Sequence, residues 1–86
     1  IPLEAGNIYP NPVMGELNLE IQSLNNIMVS ISIMDIHGRK IIAHSKYLSS
    51  GENRIQIPVA DLPRGIYLLM IRTSKDLYKI SRKFIK

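Results

Sequence analysis

Apolar residues recur at every second position in short runs, and turn chemistry separates the runs at intervals near ten residues. Residues 16–22 set Leu17, Leu19 and Ile21 against Glu16, Asn18, Glu20 and Gln22. A period of two suits a pleated strand with one buried and one wet face and is out of phase with a helix. Residues 27–34 repeat it, with Ile27, Val29, Ile31 and Ile33 opposing Ser30 and Ser32, in a β-branched composition that favours strands. Residues 39–47 read as the returning strand, and 54–59 alternate through Ile55, Ile57 and Val59, with Pro58 marking a strand end or an edge. The nearly continuous apolar stretch 66–73 predicts a strand covered on both faces. Residues 77–85 set Tyr78, Ile80 and Phe84 against Lys79, Ser81 and Lys83, with Arg82 on the apolar side. A weak run at 6–9 brings the set to about seven strands. The fold class is all-β, an antiparallel β-sandwich of immunoglobulin-like size.

The connections carry their own signals. In Tyr9-Pro10-Asn11-Pro12 two prolines fix φ and remove two backbone donors, so the segment is predicted to be a stiff, extended crossover into the first core strand. Asp35-Ile36-His37-Gly38 fits a type I turn closed by a glycine bulge. Leu62-Pro63-Arg64-Gly65 fits a type I turn, residues 49–53 are a loop by composition, and Ser74-Lys75-Asp76 makes the last turn.

With 86 residues there is room for one small domain with a modest core, and 45% hydrophobic against 21% charged residues is a globular balance. The sequence starts at Ile1, and we expect it to be a piece cut from a larger protein, with residues 1–6 as a linker from an upstream domain. No apolar run approaches the ~20 residues of a membrane-spanning helix. Cysteine is absent, which excludes thiolate catalysis, disulfides and cysteine-based zinc sites. The net charge of +4 is unevenly placed: residues 1–38 hold Glu4, Glu16, Glu20 and Asp35 with no Lys or Arg, and the rest hold all 11 basic side chains against Glu52, Asp61 and Asp76.

Chemistry-bearing constellations are few. His37 and His44 are the only imidazoles, and Asp35 near His37 lacks a third convergent ligand or a nucleophile. Asp35 is read as capping its own hairpin. No serine sits in a nucleophile elbow, and no catalytic, metal or cofactor residue is assigned. The cluster of Lys75, Lys79, Arg82, Lys83 and Lys86 invites a nucleic-acid reading. Stacking needs exposed aromatics, however, and Tyr78 and Phe84 fall on the apolar phase, so the lysines are read as a solvated edge. Met14, Met28, Met34 and Met70 are read as core filler.

The pieces "YPNP" (9–12), "IMDIHGRKI" (33–41), "SGENRIQIPVADLPRGIYLLMI" (50–71) and "SRKFIK" (81–86) together resemble the C-terminal sorting domain of the type IX secretion system of Bacteroidetes, over residues 7–86. The resemblance implies an immunoglobulin-like signal domain, without chemistry of its own, that directs an attached cargo from the periplasm across the outer membrane to the cell surface or beyond. It implies partners among the translocon and shuttle proteins and a sortase-like cysteine peptidase that removes the domain and can attach the cargo to a lipopolysaccharide. Neither nucleic acid nor membrane insertion is implied, and a weak or strand-exchanged homodimer is allowed. The family's recognition positions fall on Pro10, Asn11 and Pro12, on Asp35, Gly38 and Arg39, on Leu62, Gly65 and Tyr67, and on Lys83 and Lys86. The alternative is an accessory sandwich that binds carbohydrate or serves adhesion. Such modules usually expose aromatics for sugar stacking, and this chain has no Trp and one Phe.

Overall fold

The computed structural model describes residues 3–74 and 78–86, so the Lys75 and Asp76 part of the last predicted turn lies outside the described residues. The described chain forms β1 (Leu3–Ala5), β2 (Glu16–Ser23), β3 (Ile27–Met34), β4 (Lys40–Leu48), β5 (Gly51–Pro58), β6 (Ile66–Thr73) and β7 (Lys79–Ile85). One sheet has the order β1-β2-β5 and the other β4-β3-β6-β7, and every pairing is antiparallel. The links β2 to β3, β4 to β5 and β5 to β6 pass between the sheets, as in immunoglobulin-like sandwiches.

The alternation becomes the core directly. Leu17, Leu19 and Ile21 of β2 and Ile55 and Ile57 of β5 face Val29, Ile31 and Ile33 of β3 and Leu69 and Ile71 of β6, and all are buried. Tyr67 lies near the start of β6, and its hydroxyl donates to the carbonyl of Pro63. This is the tyrosine corner of immunoglobulin-like domains, which pins the β5–β6 connection to the strand it feeds.

The four-stranded sheet is wider than the sheet facing it, and this explains several departures from the alternation. The inward phase of β7 has little above it, so Tyr78 is 44% exposed and Arg82 half-buried, while Phe84 is buried. At the opposite margin β4 is exposed along most of its length. The outward face of β6 is not covered by another layer: Leu68 and Arg72 are half-buried, and Met70 is shielded by Arg72. Met14 and Met28 are exposed, because neither lies on an inward phase over the core.

The connections differ more. Both X–Pro bonds of 9–12 are cis, an isomer open to a tertiary amide, and the backbone bends at Pro10, Asn11 and Pro12 where extension was expected. The tight turn of the β5–β6 link is closed by Leu62 N donating to Val59 O, not across 62–65, because Gly65 exchanges two backbone hydrogen bonds with Lys86. The weak strand expected at 6–9 begins earlier, as β1. Gly6 and Tyr9 still bond the backbone of Glu20 and Asn18. β5 starts at Gly51, whose φ of +105° lets the chain leave the corner straight into the strand, so the loop expected at 49–53 is shorter.

Candidate functional site

The registers fix which loops share an end of the sandwich. Glu16 lies opposite Pro58, Met34 opposite Lys40 and Leu68, and Ile66 opposite Ile85. The bend at 9–15, the hairpin 35–39, the link 59–65 and Lys86 therefore meet at one end. Leu3, opposite Ser23, marks the other. Widely separated motif positions thus gather on one surface, a strand length from where the described chain begins.

The hairpin forms as its residues dictate. Gly38 has a φ of +81°, Gly38 N donates to Asp35 O at 3.0 Å, and Asp35 N to Arg39 O at 3.0 Å. The register slips between Ile33 and Met34, leaving Ile41 as the extra residue of a bulge. Asp35 Oδ1 accepts from the N–H of His37 at 2.9 Å and of Arg39 at 3.0 Å, and Oδ2 accepts from Arg39 Nε at 2.9 Å. These donors, the Arg39 N–H foremost, hold the carboxyl below its usual range. Asp35 is occupied in shaping the turn, and the Arg39 side chain stays 76% exposed.

The bend at 9–15 is fastened at both ends. Tyr9 exchanges backbone bonds with Asn18, and its hydroxyl donates to Glu20 Oε1 at 2.9 Å, which raises the phenol's pKa. Val13 N donates to Ile85 O at 2.8 Å, carrying the bend onto the free edge of β7. Between them runs a groove lined by Pro10, Asn11, Val13, Arg82 and Lys83. It continues past Ile85 into a second, lined by Met14, Arg64 and Lys86.

The motif positions then divide. Tyr67 is buried in its corner, Leu62 packs on the core and Gly65 pairs with Lys86. The sequence reading puts Lys86 on a solvated edge. Instead its Nζ donates to Ala60 O at 3.1 Å and Leu62 O at 2.6 Å, fastening the 59–65 link. Pro10, Asn11, Pro12, Arg39 and Lys83 are exposed. The sequence reading did not assign Met14, Ile36, Arg64, Ile66 and Ile85, which are exposed around them. Their spacing gives no sign of convergence, because only the fold brings them together. Arg82 did have a signal, a charge on an apolar phase: it donates to Ala5 O at 2.9 Å and Gly6 O at 3.2 Å, closing the β1 and β7 margins on each other. Among the described residues no three His, Asp or Glu side chains form a group that could hold a metal ion.

A family model described as the secretion system C-terminal sorting domain matches residues 7–86. The chain belongs to this family. Among curated proteins no sequence matches it. As a sorting domain of the type IX system, it is a signal for export through the outer membrane to the cell surface or extracellular space, and it interacts with the secretion machinery. Sorting domains of this family are typically non-catalytic. In this one the Leu62, Gly65 and Tyr67 motif is a tyrosine corner, and the Asp35, Gly38 and Arg39 motif is a capped hairpin.

Proposed function

We propose that the end formed by the bend at 9–15, the hairpin 35–39, the 59–65 link and Lys83 is the surface by which this sorting domain engages the translocon and shuttle proteins of the type IX system. Engagement begins in the periplasm, and the attached cargo extends from the opposite end. The observation that supports this reading is the register, which sets Leu3 opposite Ser23 at one end and Glu16 opposite Pro58 at the other. A bulky neighbour joined before Leu3 would not obstruct the motif-bearing end. Within that end, Asp35, Tyr67 and Lys86 shape the loops, and Pro10, Asn11, Arg39 and Lys83 are exposed to a partner.

A sortase-like peptidase then removes the domain, and it cuts before Leu3. From Leu3 to Tyr9 the backbone is tied by the β1–β2 ladder, by Gly6 N to Glu20 O, by Arg82 on two carbonyls and by Tyr9 to Asn18, so it is not free to enter a peptidase cleft.

The test is a periplasmic reporter fused ahead of the chain in a host with the system. Lys83→Glu with Arg64→Glu alters the motif-bearing end, and Lys46→Glu with Lys79→Glu makes the same charge change towards the other end. The expected result is that only the first pair lowers surface reporter while both remain folded. Equal export by the two pairs would sink the assignment. The mass of the released reporter reports the cut.

A further inference from the structure

The outward face of the four-stranded sheet carries a hollow that neither the core nor the motif-bearing end uses. The register puts Ser30 opposite both Ser45 and Arg72, and Ser32 opposite Ala43, all on this face. Small side chains at neighbouring positions leave a depression of about 200 Å³, and Lys40 helps line it.

Its chemistry is one-sided. Among the described residues two cations and three hydroxyls line the hollow, and no carboxylate does. Among the described residues the Arg72 guanidinium meets only the thioether of Met70, at 3.0 Å from Nη2 and 3.2 Å from Nε. A thioether is a weak acceptor. Ion pairs among the described residues engage Arg39 and Arg54, not Arg72. Ser32 is 8% exposed, and its hydroxyl has no partner among the described residues. Its oxygen keeps contact with solvent, and Ser32 is among the residues that line the hollow. A ligand that accepts hydrogen bonds and carries negative charge matches the serine donors and the cations that line the hollow.

We propose that this hollow binds one small oxyanion of the phosphate class, free or as a phosphate monoester on a larger molecule. Ser30, Ser32 and Ser45 donate to its oxygens, and the flat guanidinium fork of Arg72 and the ammonium of Lys40 neutralise its charge. The volume is below the ~300–1,000 Å³ of sites for drug-sized ligands, so a single such group enters and any remainder stays outside. The site lies on the outward face of the sheet, adjoins the motif-bearing end only at Lys40, and does not depend on the role proposed for that end.

The test is a ¹H–¹⁵N NMR titration of the 86-residue chain with sodium phosphate, against sodium chloride at equal ionic strength. The expected result is saturable shifts at Ser30, Ser32, Ser45 and Arg72, weakened about tenfold by Arg72→Gln, as loss of a charged donor implies. Ser32→Ala should weaken them with the fold intact, and it decides the matter if Arg72→Gln does not fold. Co-sedimentation with vesicles of phosphatidylcholine and phosphatidic acid that free phosphate displaces would identify a lipid headgroup as the source. Phosphate binding without co-sedimentation would identify a soluble one. Shifts that track ionic strength alone, that scatter over Lys46, Lys79 and Lys83, or that survive both substitutions would overturn the site, as would vesicle binding that phosphate does not displace.

Discussion

The rings of Tyr67 and Phe84 stack with centroids 5.5 Å apart and planes inclined by 22°, joining the start of β6 to the end of β7. Both side chains are buried. Phe84→Ala should therefore cost about 3–5 kcal/mol, a large part of the ~5–15 kcal/mol that holds a small domain together. Tyr67→Phe keeps the stack and removes only the bond to Pro63, a loss of about 0.5–1.5 kcal/mol. Urea midpoints for the two variants check the ranking.

Asp35 and Tyr9 make stability depend on pH in opposite directions. Asp35 is held below its ordinary value of 3.8, so its contribution is complete above that pH and drains away as pH falls through the folded value. Tyr9 is held above its ordinary value of 10.0, so its contribution is present below pH 10 and is lost as pH rises through the folded value. Thermal midpoints across pH should show a shallower acid limb for Asp35→Asn, whose Oδ1 can still accept from the two backbone N–H groups. Tyr9→Phe should flatten the alkaline limb. Unchanged limbs would show that neither group is coupled to folding.

Gly38 and Gly51 sit at φ of +81° and +105°, where a β-branched side chain is strained whatever the space around it. Valine at either should cost about 1–3 kcal/mol. Gly65 is different, because a Cβ there would stand 3.9 Å from the Tyr67 ring, an ordinary contact. Gly65→Ala should be near neutral, and denaturant midpoints that rank Gly65 as the most sensitive of the three would show that its pairing with Lys86 needs a conformation only glycine reaches.

The two lysines of the terminal strand region should part company. Lys83 is exposed, and Lys83→Glu should change stability by no more than about 0.5 kcal/mol. Lys86→Glu removes two charge-assisted bonds to Ala60 and Leu62 and should cost roughly 1–3 kcal/mol. Melting curves of the single variants separate them, and equal curves would mean that the Lys86 bonds are exchanged for water without loss.

Arg82→Gln should loosen the margin where β1 meets β7. Faster amide exchange at Glu4, Ala5 and Gly6, with β3 and β6 unchanged, is the expected result. Unaltered exchange would mean that the β1–β2 ladder holds the segment without help.

Strand positions and the core were legible because each strand's period-2 pattern is a local consequence of burying one face, as in Leu17, Leu19 and Ile21. The hairpin was legible for the same reason, since Asp35 and Gly38 act within four residues of each other. What failed locally was whatever depends on parts of the chain distant in sequence. Tyr78 has the phase of a core residue, but the narrower sheet leaves it uncovered. Gly65 has turn chemistry, but Lys86 claims its backbone groups. The motif-bearing end was legible only as separate motifs, since convergence is set by the registers of β2 with β5 and of β3 with β6.

Because Leu3 and Lys86 lie at opposite ends of the sandwich, with β1 and β7 both running from the first end to the second, a pull on these two points acts along the strands. Antiparallel hydrogen bonds stand perpendicular to that direction. The β1–β2 and β6–β7 ladders are thus loaded in shear, their bonds sharing the force instead of parting singly like a zip, and Arg82 adds a cross-tie between the two strands that bear the load. Drawn from either point, the domain should hold its shape until whole ladders slide, which makes it a mechanically stiff handle.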